Sequence, residues 1–147
     1  MTTLKDPPRN ILVPIDFSES SEKAATAACA LAAKTGATVH LLHAYVIPVE
    51  SVGLALTVSQ HYVQQFVGES KAQLQELAGK LCPGAALGPF LVESGEPREV
   101  ITEEAQKLHA ELIVMGTHGR RGLTRALIGS VAESVVRTAP CSVLVVR

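Results

Sequence analysis

The sequence contains no tryptophan, and Phe and Tyr together supply only 3% of it. A chain so poor in aromatic rings has no platform on which to stack single-stranded bases. Charge is nearly balanced as well. Thirteen Lys and Arg against 14 Asp and Glu leave a net charge of −1, so nothing in the charge balance argues for nucleic acid or an anionic membrane as partner. No apolar run approaches the ~20 residues that a membrane-spanning helix needs. The opening MTTLKDPPRN lacks an apolar leader core, and no signal peptide is expected there. Cysteine is restricted to Cys29, Cys82 and Cys141, widely spaced and without a CxxC pair. That usage suits a reducing cytoplasm, with all three read as buried thiols. No HExxH, nucleophile elbow or paired carboxylates with a shared target occur, so no catalytic constellation emerges.

What is present is a globular composition, 47% hydrophobic and 18% charged over 147 residues, which fits one domain over 1–147 behind a loose lead-in at 1–9. Strand and helix patterns alternate. Asn10–Ile15 reads as a strand, with Pro14, which has no N–H, near its C-terminal end. Ser18 is the expected N-cap of a helix carrying Glu19 and Glu22 in its first turn, Ala24, Ala27, Ala28 and Leu31 on its buried face, and Gly36 at its stop. Thr38–Ala44 is the second strand. A helix over 58–81 buries Phe66, Val67, Leu74, Leu77 and Leu81. Residues 45–53 show no clear period.

Leu87–Glu93 is expected as a third strand, weakened at its start by Gly88-Pro89, and Pro97 opens a helix that buries Ile101, Ala105 and Leu108. A fourth strand ends at Met115 and a fifth covers Ser142–Val146. This order predicts an α/β fold, a single doubly wound sheet of five parallel strands with helices on both faces. Ligands of such sheets bind beyond the strands' carboxyl ends, where strand order reverses. Strands one and four are expected to flank that point, setting Pro14-Ile15-Asp16 opposite Met115-Gly116.

The most informative stretch is Met115–Val131, MGTHGRRGLTRALIGSV. A short apolar strand runs into Gly116, which is read as its breaker, and Gly119, Gly122 and Gly129 follow. Ser130-x-x-Glu133 has the form of a capping box, with Ser130 as N-cap of the last helix. Strand, glycine-rich loop and helix N-terminus together form a phosphate-binding arrangement, because glycines allow close backbone approach and the helix's first N–H groups are free. No Gly-Lys-Ser/Thr closes the loop, and Gly116-x-x-Gly119-x-x-Gly122 lacks the opening of the dinucleotide fingerprint.

The full spacing, Gly116, two residues, Gly119, nine residues, Gly129-Ser130, resembles the nucleotide motif of the ATP-binding branch of the universal stress protein family. The resemblance runs from Asn10 to Arg147. It implies a Rossmann-like fold of the adenine nucleotide alpha hydrolase kind, a nucleotide-responsive stress or signalling module, and ATP with Mg²⁺ as ligand. By the same resemblance Pro14 packs near the adenine, the backbone of Ala44 meets the adenine edge, and Asp16 lies near the nucleotide. Met115, Gly116, His118, Gly119, Gly129, Ser130 and Val131 then form the phosphate end. A two-fold homodimer is also implied, with the last strands side by side and antiparallel.

Each residue also has a plainer reading. Asp16 can simply help Ser18 cap the first helix, His118 can be a solvated loop residue, and Ser130 can serve only as a cap. Arg120, Arg121 and Arg125 either screen a triphosphate or form a solvated face. His43 either lines the pocket or packs. Because a helix start tolerates some side chains, Gly129→Val is expected to exclude ligand while sparing the fold. Two alternatives to a binding module stand beside it: a slow ATP hydrolase, and a nucleotide-free dimeric stress protein.

Overall fold

The computed structural model describes residues 6–47, 56–118 and 127–147, with the side chains of 56–59 outside that description. Gly119, Gly122, Arg120, Arg121 and Arg125 therefore lie outside the described residues, as do 1–5 of the lead-in and 48–55 of the segment without a period.

The elements run β1 (Asn10–Pro14), α1 (Glu19–Thr35), β2 (Thr38–Tyr45), α2 (Leu56–Leu81), β3 (Ala86–Leu87), β4 (Leu91–Ser94), α3 (Pro97–Lys107), β5 (Leu112–Gly116), α4 (Ser130–Thr138) and β6 (Ser142–Val146). The sheet is parallel throughout, in the order β3-β2-β1-β5-β6, with β4 also paired to β2. Strand order reverses between β1 and β5, as the alternation of elements predicts.

The sheet has six strands where the sequence suggests five, because the expected third strand is broken in two. Gly88 lies flat against the buried His40 ring. A Cβ there would stand 2.3 Å from His40 Nδ1, so only glycine fits. Pro89 then has no N–H for the ladder. Pairing with β2 stops at Leu87 and resumes at Leu91.

Side-chain alternation along the strands feeds two cores. Ile11, Val13, Leu112 and Val114 point to the face covered by α1 and α2, whereas Leu12, Ile113 and Met115 point to the face covered by α3 and α4. Helix α1 is alanine-rich on its buried side, at Ala24, Ala25, Ala28 and Ala32, which lets it approach the sheet closely. It begins as expected, with Ser18 Oγ accepting from Ser21 N, and ends at Gly36 in the left-handed conformation (φ 76°).

The cysteines differ from expectation. Cys29 on α1 and Cys82 just past α2 are joined as a disulfide, and only Cys141 is a free thiol. The two helices pack over one face of the sheet, and this brings residues 53 apart in sequence within bonding distance. Nothing in cysteine spacing could indicate that. The inference of a reducing compartment from unpaired thiols does not survive it. No helix among the described residues is long and apolar enough to cross a membrane.

Candidate functional site

The cleft exists because β1 and β5 separate. β1 pairs with β2 over all five of its residues but with β5 only at Ile11↔Leu112 and Leu12↔Ile113. Beyond that point the two strands diverge, and a cavity of about 320 Å³ opens between their carboxyl ends. Pro14, Asp16, Ala44 and Met115 line it, and so do Gly116, His118, Gly129, Ser130 and Val131. Two stretches a hundred residues apart in the chain thus meet in one place. Gly119 falls outside the described residues.

A backbone bond closes the base of the glycine loop, in which Gly129 N donates to Thr117 O over 2.6 Å. Gly116 proves to be the last residue of β5 rather than its breaker, since it pairs with Val146. Its lack of a side chain is required by α1. A Cβ at Gly116 would stand 2.1 Å from Ser20 Oγ and 2.7 Å from the Ser20 carbonyl. The expected tolerance of Gly129→Val also fails, because any Cβ at 129 would meet Thr117 O at 2.9 Å. That substitution disturbs the turn as well as the cleft.

The capping box does not form. Gly129 is the N-cap and makes no side-chain cap bond, Ser130 is the first helical residue, and Glu133 pairs instead with Arg137. The first intrahelical bond is Glu133 N to Gly129 O. The N–H groups of Ser130, Val131 and Ala132 consequently have no intrahelical acceptor, and all three residues line the cavity. An uncapped first turn carries partial positive charge and free donors, which is the chemistry an anion requires.

Asp16 stands just past the carboxyl end of β1, two residues before the Ser18 cap of α1. It lines the cavity, while its Oδ1 accepts from Ser18 N (3.0 Å) and from the Ser18 hydroxyl. His118 is half-buried in the cavity wall, not solvated. Its Nδ1 lies 2.7 Å from Thr117 Oγ1, its backbone N donates to Ser20 Oγ, and its Nε2 is buried without a partner among the described residues. His43 packs, with its ring against Phe17 and its Nδ1–H donating to Ile15 O at 2.8 Å.

The other end of the cavity is apolar. Leu42 lies beneath it, and Pro97 and Ile101 close it from α3. The sequence reading did not place α3 at the site, although Pro97, opening a helix at the carboxyl edge of the sheet, marked the position. One polar edge remains in this apolar end. Leu42 O accepts from Ile15 N at 2.7 Å, so the alternation of a strand turns the N–H and C=O of Ala44 to the same side, beyond the end of β1. Among the described residues, no group of three or more His, Cys, Asp or Glu is placed to hold a metal ion.

The sequence model of the universal stress protein family matches residues 8–147, and the chain belongs to that family. A universal stress protein of Methanocaldococcus jannaschii is 37% identical over 142 residues, covering 95% of this chain and 82% of the relative. Among solved structures, hypothetical protein MJ0577 superposes with a TM-score of 0.80 at 28% identity, over 94% of each chain. A universal stress protein solved in complex with cAMP has the same fold, with a TM-score of 0.69 at 22% identity over 97% of this chain and 98% of its own.

Proposed function

We propose that this protein binds ATP, with Mg²⁺, as a nucleotide-responsive stress or signalling module. The observation that carries the reading is the two-ended cleft. One end offers the uncapped N-terminus of α4 to an anion, and the other offers apolar walls and a backbone edge at Ala44 with no loop partner among the described residues to a flat ring. A nucleotide has that polarity. The triphosphate lies over Gly116–Gly119 and Gly129–Val131, and the adenine lies between Pro14 and Ala44. Asp16 stands between the two ends, where its carboxylate takes ribose hydroxyls or the phosphate-bound cation. Met115 underlies the junction, and His118 lines the phosphate end, its buried Nε2 without a partner among the described residues.

No side chain among the described residues of the cleft has an evident role as general base or nucleophile, and the proposal is accordingly a binding module whose ATP turnover stays below an ordinary enzyme's ~1–10³ per second. The protein acts by changing state when loaded. We further propose a cytoplasmic location, on the family reading alone, and a homodimer formed through β6. That strand is the unpaired edge of the sheet, and Leu144 on it and Val136 on α4 are apolar yet exposed.

The test is thermal melting of the protein with Mg²⁺ and millimolar ATP, AMP, GTP or cAMP. ATP should raise the melting temperature more than GTP or AMP does. Absence of any ATP-dependent shift would overturn the reading.

A further inference from the structure

Three of the five Phe and Tyr residues in this aromatic-poor chain gather at one point beside the cleft. Phe17 packs on His43 with ring centroids 4.9 Å apart. Phe66 of α2 lies 6.3 Å from His43 and 5.0 Å from Tyr45. Phe17 is also one of only two non-glycine residues with positive φ among the described residues, at 61°. An aromatic residue is rarely found in that conformation, and it persists only where its surroundings enforce it.

Both features bear on Asp16. The left-handed turn at Phe17 reverses the chain between Asp16 and Ser18, so that Asp16 Oδ1 can accept from Ser18 N and Oγ. On the other side of Asp16, the Ile15 carbonyl accepts from His43 Nδ1–H. A carbonyl cannot donate, so Nδ1 carries the proton and the Ile15–Asp16 peptide plane is held by the same ring on which Phe17 packs.

We propose that Phe17 and His43 are positioning residues for the ligand, acting through Asp16. The ring pair, braced by Phe66, holds the strained turn that aims the Asp16 carboxylate into the cleft. This rests on the nucleotide reading above and adds to it a determinant of affinity that touches no ligand. Phosphate binding at α4 is independent of it, because Phe17 packs with the core under α1 and α2, whereas Ala132 and Val135 of α4 pack in the core on the opposite face of the sheet.

The experiment is a double-mutant cycle on ATP affinity by calorimetry, with the parent, Asp16→Ala, Phe17→Gly and the double variant, and tripolyphosphate as a second ligand. Glycine adopts φ near 61° without strain, so Phe17→Gly keeps the path of the chain and removes the ring. Phe17→Leu serves if that variant does not fold. Phe17→Gly should weaken ATP about tenfold, the scale of a lost hydrogen bond to a charged group, leave tripolyphosphate unchanged, and cost nothing further once Asp16 is Ala. His43→Asn, which keeps a donor for Ile15 O, should retain part of the affinity that His43→Leu loses. Equal losses from Phe17→Gly in both backgrounds, a parallel loss of tripolyphosphate, or no loss on Asp16→Ala would overturn the proposal while leaving the nucleotide reading intact. A parent that binds no ATP would overturn both.

Discussion

Replacing Ser130 by Asp sets the two roles of the α4 N-terminus against each other. Ser130 is the first residue of α4, exposed on the cleft wall, in a turn with no side-chain cap. A carboxylate among those free N–H groups should stabilise the helix by about 0.3–1 kcal/mol. The same charge would stand a few ångströms from the terminal phosphates of a bound nucleotide. Two like unit charges 4 Å apart at an effective dielectric of 20 repel by roughly 4 kcal/mol, and even ~3 kcal/mol raises Kd more than ~100-fold. With nucleotide at a hundred times the parent's Kd, the parent gains about 2.7 kcal/mol of stability. For a chain of this size that is a rise in Tm of roughly 5–11 °C. The variant, then near its own Kd, gains only about 0.4 kcal/mol, or ~1 °C. The two readouts therefore diverge: ligand-free Tm unchanged or up by a few degrees, ATP-induced shift nearly abolished. Scanning calorimetry with and without Mg-ATP measures both, and Ser130→Asn, of the same size without the charge, should keep the shift. A Ser130→Asp protein that melts at or above the parent and retains the full ATP shift would place the phosphates elsewhere.

Reducing the Cys29–Cys82 bond opens a loop spanned by a sequence separation of 53, which on chain entropy costs about 4 kcal/mol, or roughly 8–16 °C in Tm. Thiol titration of the denatured, unreduced protein should find one free cysteine, and three would refute the pairing. Burial holds the His40 imidazole below its ordinary 6.5, so the folded state favours the neutral ring. Its contribution to stability is complete above pH 6.5 and is lost as pH falls through the folded value, because the unfolded chain takes up the proton first. Urea unfolding of the parent and of His40→Gln should therefore converge as the solution is acidified below 6.5, and a pH-independent gap would contradict this. Leu144→Lys places a charge on the exposed edge of β6 and should yield a monomer by light scattering where the parent gives a dimer. A monomeric parent at micromolar concentration would refute the dimer reading.

The sequence by itself determined the alternation of elements, the doubly wound class and most of the candidate cleft. Those features come from local signals. Apolar runs of four or five residues, Ser18 before a helical period, Gly36 after it and Pro97 at a helix start each act within a turn of their own position. The glycine spacing from Gly116 to Ser130 likewise lies in one stretch of chain. Tertiary structure decided what depends on distant segments meeting. Gly116 reads as a loop glycine until Ser20 of α1 is seen against it, and Gly88 reads as a weak strand residue until His40 occupies its space. Cys29 and Cys82 look like separate thiols until α1 and the end of α2 share one face of the sheet. The capping box at Ser130 failed for a related reason. Gly129 is held to Thr117 by a backbone bond, which sets the start of α4 one residue earlier than the local pattern proposes. Local propensity is settled by a few kcal/mol within a turn, whereas a close approach between elements is settled by steric exclusion, and that exclusion has no counterpart in the order of the residues.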